Sequence, residues 1–462
     1  MINDATAVIL AAGQGTRMKS RMAKVLHRAG GKALVEHVIA AAKGIASPER
    51  IFVVVGHQAE AVGAVAHAAG VGSIHQTEQL GTGHAVMCGE DKLAGLGDIL
   101  LVLNGDCPMI RTETLRNLID LYRETGAGAA MITTDLDDPT GYGRIVRQAH
   151  RDVKAGDVAA IVEHKAATAE QRAIREINVG FYCFNAAAFW KHVHEIRPDN
   201  PAREYYLTDM IAILLRAGHR VTALKAADSS EMLGINNRVE LAAVDRIMRE
   251  RKVRQVMLDG VTVEKPETVT IDADVAIGMD TVIGPFVQLT GNTVIGENCR
   301  IGASSIVENS NLADNVDVFP FSSISASTLE PKTQVGPYAR LRMGAHLAES
   351  AHVGNFVELK NTTLGAGSKS MHLAYLGDSQ IGAAVNIGAG TITCNYDGKK
   401  KHRTTIGEGS FIGSNSTLVA PLEIGSGSYI GAGSVITDPV PDKALALGRA
   451  RQFVKQGWVR KS

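Results

Sequence analysis

A six-residue period constrains this chain more than any other feature. An aliphatic residue, often followed by glycine, recurs at Ile271, Ile277, Ile283, Leu289, Ile295, Ile301 and Val307. After a slip of one residue come Leu312, Val318 and Ile324, and the frame resumes at Val335, Leu341, Leu347, Val353 and Leu359. It returns at Ile381 and Ile387, then at Ile406, Ile412, Leu418, Ile424, Ile430 and Ile436. Six residues suit one side of a triangular coil, with the aliphatic pointing inward and a small neighbour letting the backbone turn. Stacked coils bury a continuous aliphatic column, so residues 259–462 are predicted to form a parallel β-helix. The 48 glycines among 462 residues and the 5% of aromatics fit a repeat better than a core of large rings. Thr391-Ile-Thr-Cys-Asn-Tyr-Asp-Gly-Lys-Lys-Lys-His-Arg403 breaks the frame with polar residues and should project as a loop, a common place for function.

Residues 1–236 follow another rule. Apolar runs at Ala5–Leu10, Ile51–Val55, Ile99–Leu103, Ala129–Thr133 and Val179–Phe184 predict strands. Helical patterns at Ala33–Lys43, Gln58–Ala68 and Thr112–Glu124 lie between them, so βαβ units and a mostly parallel sheet are expected. Ligands of such sheets gather beyond the carboxyl ends of the strands, which directs attention to Gly13–Arg17, Gly56–His57 and Asn104–Asp106. Over residues 237–258, Val239, Leu241, Ile247, Met248 and Val253 fall near helical spacing. The period alone is equally satisfied by a linker helix and by a surface helix closing the first domain.

Lys+Arg and Asp+Glu both total 48, which leaves no basic surplus for coating a nucleic-acid backbone. No apolar run approaches the ~20 residues that span a bilayer. The N-terminus lacks a basic leader. The five cysteines, odd in number and without a CxxC pair, suit reduced thiols in a cytoplasmic protein better than disulfides or structural zinc.

Chemistry enters at Leu10-Ala-Ala-Gly-Gln-Gly-Thr-Arg-Met18, directly after the first strand. Gly13 and Gly15 let backbone amides approach an anion, and Arg17 and Lys24 supply charge. Met18 replaces the third glycine of a dinucleotide fingerprint, and no P-loop Lys-Ser/Thr follows. The nonapeptide with Lys24 resembles the signature of sugar-nucleotide pyrophosphorylases. Gln76-Thr-Glu-Gln-Leu-Gly-Thr-Gly-His84, Asn104-Gly-Asp-Cys-Pro108, Gly141-Tyr-Gly-Arg-Ile145, Ile161-Val-Glu-His-Lys165, Ile177-Asn-Val-Gly180 and Gly234-Ile-Asn-Asn237 extend the match. Ala339-Arg-Leu-Arg342, His352-Val-Gly-Asn-Phe-Val-Glu-Leu-Lys360, His372-Leu-Ala-Tyr-Leu-Gly-Asp378 and Asn386-Ile-Gly-Ala-Gly-Thr-Ile-Thr-Cys-Asn-Tyr-Asp-Gly398 carry it through the second half. Over essentially its whole length the chain resembles the GlmU family of bacterial enzymes, which join an N-acetylglucosamine-1-phosphate uridylyltransferase to a glucosamine-1-phosphate N-acetyltransferase.

The resemblance implies a Rossmann-like α/β nucleotidyltransferase domain, a linker helix and a left-handed parallel β-helix. In the first domain it implies UTP held by Leu10, Ala11, Ala12, Gly13 and Lys24, with uracil read by Gln76, Gly81 and Thr82. Gly143, Glu163, Asn178 and Asn236 match positions that hold N-acetylglucosamine-1-phosphate. Asp106 and Asn236 match the Mg²⁺ ligands, and hard oxygen donors suit that ion. Arg17 and Lys24 would neutralise charge building during the in-line displacement of pyrophosphate. Taken singly, each has a plainer reading; an Asp after an apolar strand is more often a cap than a ligand.

For the β-helix the resemblance implies acetyl transfer from acetyl-CoA to glucosamine-1-phosphate. His372 matches the general base, since imidazole titrates near neutral pH, and Glu358 could orient or polarise it. Arg342 and Lys360 match a sugar-phosphate clamp, and Tyr375 and Asn386 match sugar contacts. Ala389, Asn395, Tyr396, Ser414, Ala432 and Arg449 match acetyl-CoA contacts. A homotrimer sharing each acetyl site is also implied, with UDP-N-acetylglucosamine feeding peptidoglycan and lipopolysaccharide precursors. Two departures stand out: Ala23 and Met343 occupy positions where the family usually has proline. Two other readings stay open, a single-activity nucleotidyltransferase whose β-helix oligomerises or regulates, and a non-enzymatic scaffold.

Overall fold

The computed structural model describes residues 4–148, 157–164 and 166–459, so Lys165 of the Ile161–Lys165 motif lies outside them. Strands of the first unit are β1 (Ala5–Leu10), β2 (Arg28–Ala29), β3 (Lys32–Ala33), β4 (Ile51–Val55), β5 (Gly72–His75), β6 (Ile99–Asn104), β7 (Ala129–Asp135), β8 (Arg144–Arg147), β9 (Val158–Val162), β10 (Glu176–Asn185) and β11 (Val221–Lys225). β2 and β3 form a separate hairpin, and the main sheet runs β11-β7-β10-β6-β1-β4-β5, with β8 paired to β10 and β9 paired to β8. β5, β4, β1 and β6 are mutually parallel. β10 runs antiparallel to both β6 and β7, so the strand expected at Val179–Phe184 is longer and reversed relative to its neighbours.

Alternation along β1 explains why it is central. Ala7 and Ile9 join a core with Val38, Val62 and Leu118 from the helices Leu34–Lys43, Ala59–Ala68 and Thr112–Thr125. Val8 faces the other way into a core with Phe189, Met210 and Leu214. A strand covered on both faces reads as one apolar run, and Ala5–Leu10 and Ile51–Val55 are found with the bounds the sequence suggested. β5 escaped notice because only Ile74 of its four residues is buried. At the carboxyl edge, Ala11 N–H donates to Val54 O (3.0 Å) and His57 N–H to Ala12 O (3.1 Å), which locks the glycine loop to the turn after β4.

A single helix spans Arg238–Leu258. Leu241, Val244, Ile247 and Met248 pack with Met18, Leu34 and Met109. Val253 and Val256 belong to the core of the second unit. The division between the units, Met1–Met248 and Arg249–Ser462, therefore falls inside the helix.

The second unit is the left-handed parallel β-helix, with three sheets of eleven, ten and nine short strands. Ile283 stacks on Ile301, then Val318, Val335 and Val353, each in register with the last. The apparent gap in the period after Leu359 has two causes: a one-residue slip displaces the inward aliphatics Leu364 and Leu376 from the frame, and hydroxyls take other inward positions. Ser370 fills the inward position between Val353 and Ile387, and Thr393 fills another beside Leu418. Both are fully buried hydroxyls where the pattern calls for aliphatics. All five cysteines are free thiols. Among the described residues no helix is long and apolar enough to cross a membrane.

Candidate active sites

The carboxyl ends of β1 and β6 open on a cleft of about 640 Å³ lined by Leu10, Ala11, Ala12, Gly13, Lys24, Gln76, Gly81, Thr82 and Asp106, together with Gln14, Gln79 and Glu204. Gly15 adopts φ 60, and a Cβ there would meet Lys24 Cβ at 2.6 Å, so the loop bears directly on the lysine stem. Lys24 Nζ pairs with Asp106 Oδ2. Arg17 Nη2 donates to Asn236 Oδ1 at 2.8 Å, and Ile235 N–H donates to Asp106 O at 3.0 Å. Four residues far apart in sequence thus form two cation–oxygen pairs at one edge of the sheet. The oxygens of Asp106 and Asn236 are hard donors and fit a small divalent cation that keeps most of its water. Among the described residues no group of three His, Cys, Asp or Glu could hold a metal by protein ligands alone.

Gln76 is buried and donates through Nε2 to Gly81 O at 3.1 Å. The following loop is zipped to the segment around Tyr205. Gly83 N–H donates to Tyr205 O, and Tyr205 N–H donates to Leu80 O, both at 2.7 Å. Leu207 N–H donates to Thr82 Oγ1 at 3.0 Å. Gly143, Glu163 and Asn178 meet beside this region. Asn178 N–H donates to Gly143 O at 2.9 Å, and a Cβ on Gly143 would lie 3.2 Å from Glu163 Oε1. A register shift in β10 after Asn178 turns that side chain toward Tyr182 OH, 2.8 Å away, as bulges beside functional sites often do. Glu163, Thr208 and Asp209 line a small hollow of about 100 Å³. Desolvation and then the charge of Asp209 push the Glu163 carboxyl above its ordinary value.

On the β-helix, Arg342 and Lys360 are register partners on neighbouring strands of one sheet, and Tyr375 pairs with Glu358 on that sheet. Arg342 Nε donates to Glu358 Oε1 at 2.7 Å. Lys360 is buried, and its Nζ donates to Asp378 Oδ2 at 3.1 Å. Asp378 also accepts from Asn361 (2.7 Å) and Asn395. Burial raises the Asp378 carboxyl, but hydrogen bonds from Asn361, Lys360 and Asn395 outweigh it and hold the group below its ordinary value.

His372 stands around the corner from Tyr375. Its Nδ1 bonds Asn355 Oδ1 at 2.6 Å, and the two are register partners on adjacent coils. Glu358, expected to orient the imidazole, is engaged by Arg342, and Asn355 is the partner at Nδ1. A proton on Nδ1 would complete that bond to Oδ1 and leave Nε2 as the nitrogen facing away from Asn355. The remaining residues ascend along one edge. Asn386 neighbours Lys369 one coil from His372. The turn at Ala389 is bonded to that of Ser414 (Asn415 N–H to Ala389 O, 2.7 Å), and this to that of Ala432 (Gly433 N–H to Ser414 O, 2.8 Å). Arg449 follows, 3.8 Å from where a Cβ on Gly433 would lie. The loop closes on itself, with His402 N–H donating to Asn395 O at 2.9 Å, and leaves Tyr396 61% exposed beside this line.

Ala23 adopts φ −55, open to proline, whereas Met343 adopts φ 57, which no proline can reach. The turn after Arg342 is therefore not one a proline could build. Asn355 and Asp378 were not singled out from the sequence. Both were legible once the coil length was known: Asn355 precedes His372 by one turn of the prism, and Asp378 stands one turn from both Asn361 and Asn395.

Residues 7–176 match the MobA-like NTP transferase domain family, residues 265–364 the GMPPB C-terminal domain, and residues 403–438 the bacterial transferase hexapeptide family. The bifunctional protein GlmU of Solibacter usitatus is 60% identical over 456 residues, 99% of this chain and 97% of its own. The bifunctional GlmU proteins of Koribacter versatilis (49% identical, 98% of this chain and 96% of its own) and Shouchella clausii (44% identical, 98% of each) are similar throughout. The nucleotidyltransferase half of such a protein points to a divalent-metal requirement.

Proposed function

The chain belongs to the bifunctional GlmU family, and from that premise we propose how its residues divide the work. It is a uridylyltransferase in its first unit and an acetyltransferase in its β-helix, and together they make UDP-N-acetylglucosamine. In our reading glucosamine-1-phosphate is acetylated first by acetyl-CoA, and the product then attacks the α-phosphorus of UTP. The observation that carries the first half is the double pair Lys24–Asp106 and Arg17–Asn236 at the mouth of the nucleotide cleft. Two polyanions must meet there, so neutralisation and alignment supply most of the acceleration. Bound Mg²⁺, held by Asp106 and Asn236, would supply charge neutralisation at the phosphates. Lys24 and Arg17, no longer occupied by those oxygens, would then neutralise the triphosphate. Gln76, Gly81 and Thr82 would read the base, and Gly143, Glu163 and Asn178 the sugar.

In the second site Arg342 and Lys360 would grip the sugar phosphate, with Tyr375 and Asn386 beside the ring. His372, bonded at Nδ1 by Asn355, would take the amine proton at Nε2 as nitrogen attacks the thioester. Ala389, Asn395, Tyr396, Ser414, Ala432 and Arg449 would hold coenzyme A along the edge they share. The exposed stacked rings Phe321, Tyr338 and Phe356, 5.0 and 5.3 Å between centroids, support self-association. A homotrimer of prisms sharing each acetyl site in the bacterial cytoplasm is the assembly we infer.

The test is a pair of assays on one preparation. Pyrophosphate release should require Mg²⁺ and collapse in Asp106→Ala, while thiol release from acetyl-CoA persists. Thiol release should collapse in His372→Ala, while pyrophosphate release persists. Loss of both activities in either variant would refute separate sites.

A further inference from the structure

We propose that Gln58 is a positioning residue for Lys24 in uridylyl transfer. Its carboxamide clamps the backbone turn from which that lysine rises. The proposal rests on the reading of Lys24 as the cation that neutralises the triphosphate.

Gln58 follows β4 and opens the helix Ala59–Ala68, with φ 52 and ψ 44. Non-glycine residues rarely adopt this left-handed region, and here it accompanies a side chain turned toward the glycine loop. Gln58 Oε1 accepts from Ala23 N–H at 2.7 Å, and Nε2 donates to Arg21 O, also at 2.7 Å. Those two bonds tie Ser20–Ala23 to the turn after β4. The segment's other hydrogen bonds shown are local, such as Met22 N–H to Ser20 Oγ at 3.1 Å, while Ala23 also packs into the apolar core. The anchor is firm because His57 N–H already bonds Ala12 O at 3.1 Å.

The consequence reaches Lys24 within one residue. Ala23 is 1% exposed, so its N–H has no water to fall back on without Gln58. Its carbonyl accepts from Leu26 N–H at 3.0 Å and opens the short turn Lys24–Leu26. Gly15 bears on the lysine stem from the other side, at 2.6 Å from a Cβ position. Gln58 and Gly15 thus fix the origin of the side chain, and Asp106 receives its end. The task needs an acceptor and a donor on one planar head, which glutamine has and glutamate lacks.

A general loop staple and a positioning role separate through rescue. Ala23 φ −55 lies inside the proline range, and proline fixes that angle without an N–H to satisfy. Its ring would occupy the space of the Gln58 carboxamide, so the substitutions Ala23→Pro and Gln58→Ala are compatible together. Full-length enzyme is assayed for pyrophosphate release with UTP and N-acetylglucosamine-1-phosphate, with thiol release as the internal control. Gln58→Ala is expected to lower kcat about tenfold, the effect of one well-placed hydrogen bond, with the KM for UTP within about twofold and thiol release unchanged. In the Ala23→Pro background the same substitution should cost nothing. Gln58→Glu, which keeps the acceptor, should fall between wild type and Gln58→Ala even if the proline variants do not fold. Normal kcat in Gln58→Ala, failure of a folded proline variant to rescue, or equality of the two Gln58 variants would each overturn the proposal. Lys24→Ala separates the two claims. If it is crippled while Gln58→Ala is normal, only the Gln58 role falls; if it is near normal, the premise falls and the proposal with it.

Discussion

Substituting Gly81 should disable one site and spare the other. The residue adopts φ 110 and ψ 174, a region essentially closed to other residues. A Cβ there would lie 2.6 Å from Tyr205 O and 2.8 Å from Tyr205 N, both backbone atoms that cannot swing aside. Gly81→Ala must therefore carry the strain, of order 1–3 kcal/mol, or push the two segments apart. Separation would lose the Gly83–Tyr205 and Tyr205–Leu80 hydrogen bonds, about 1 kcal/mol each. Either route costs the loop that holds Gln76 and Thr82 over the nucleotide cleft about 1–3 kcal/mol, or roughly 5- to 140-fold in kcat/KM for UTP at ~1.4 kcal/mol per decade. The assay is pyrophosphate release over a range of UTP concentrations, with thiol release run in parallel. We expect most of the loss in KM, because base contacts are made equally in ground and transition states, and an unchanged rate of acetylation. A fall of less than about fivefold, or equal damage to both activities, would refute the reasoning.

Three further outcomes follow from the same geometry. Ser370 is fully buried between Val353 and Ile387, and its hydroxyl has no hydrogen-bond partner; Ser370→Ala should stabilise the β-helix by about 1 kcal/mol in chemical denaturation, and a loss of stability would mean the hydroxyl is satisfied. Asn355→Ala should cut acetylation kcat several-fold and shift its pH profile, while Tm and uridylyl transfer hold, since a partner that only packs would not move the profile. Glu163 has its folded pKa raised above the ordinary 4.5, so the stability it contributes is complete below that value and is lost as pH rises through the raised one. Glu163→Gln should therefore raise Tm slightly at neutral pH and not at pH 4, while weakening N-acetylglucosamine-1-phosphate binding; a constant difference across pH would contradict the assignment.

How much of this was legible in the sequence varied with how local the cause was. Ala5–Leu10 and Ile51–Val55 were readable because strands buried on both faces need unbroken apolar runs. The prism was readable because each coil repeats the same demand for an inward aliphatic. It faded at Ser370 and Thr393, where hydroxyls occupy inward positions in the coils that carry His372 and Asn395. The reversal of β10 was invisible because an apolar run has no direction. Arg17, Lys24, Asp106 and Asn236 were found by resemblance, but their pairing in two cation–oxygen contacts required coordinates. Gln58 bonds Arg21 and Ala23 in another loop, and nothing in its own neighbourhood marks it, whereas Asp378 lies one coil from Asn361 and Asn395 and could be found from that spacing.

Two separate stations on one chain should be linked by a diffusible sugar phosphate. Phosphorus NMR of a single reaction containing glucosamine-1-phosphate, acetyl-CoA, UTP and Mg²⁺ tests it most directly. Asp106→Ala should accumulate N-acetylglucosamine-1-phosphate, His372→Ala should leave glucosamine-1-phosphate untouched, and an equal mixture of the two proteins should yield UDP-N-acetylglucosamine. Product from either variant alone, or none from the mixture, would contradict the account.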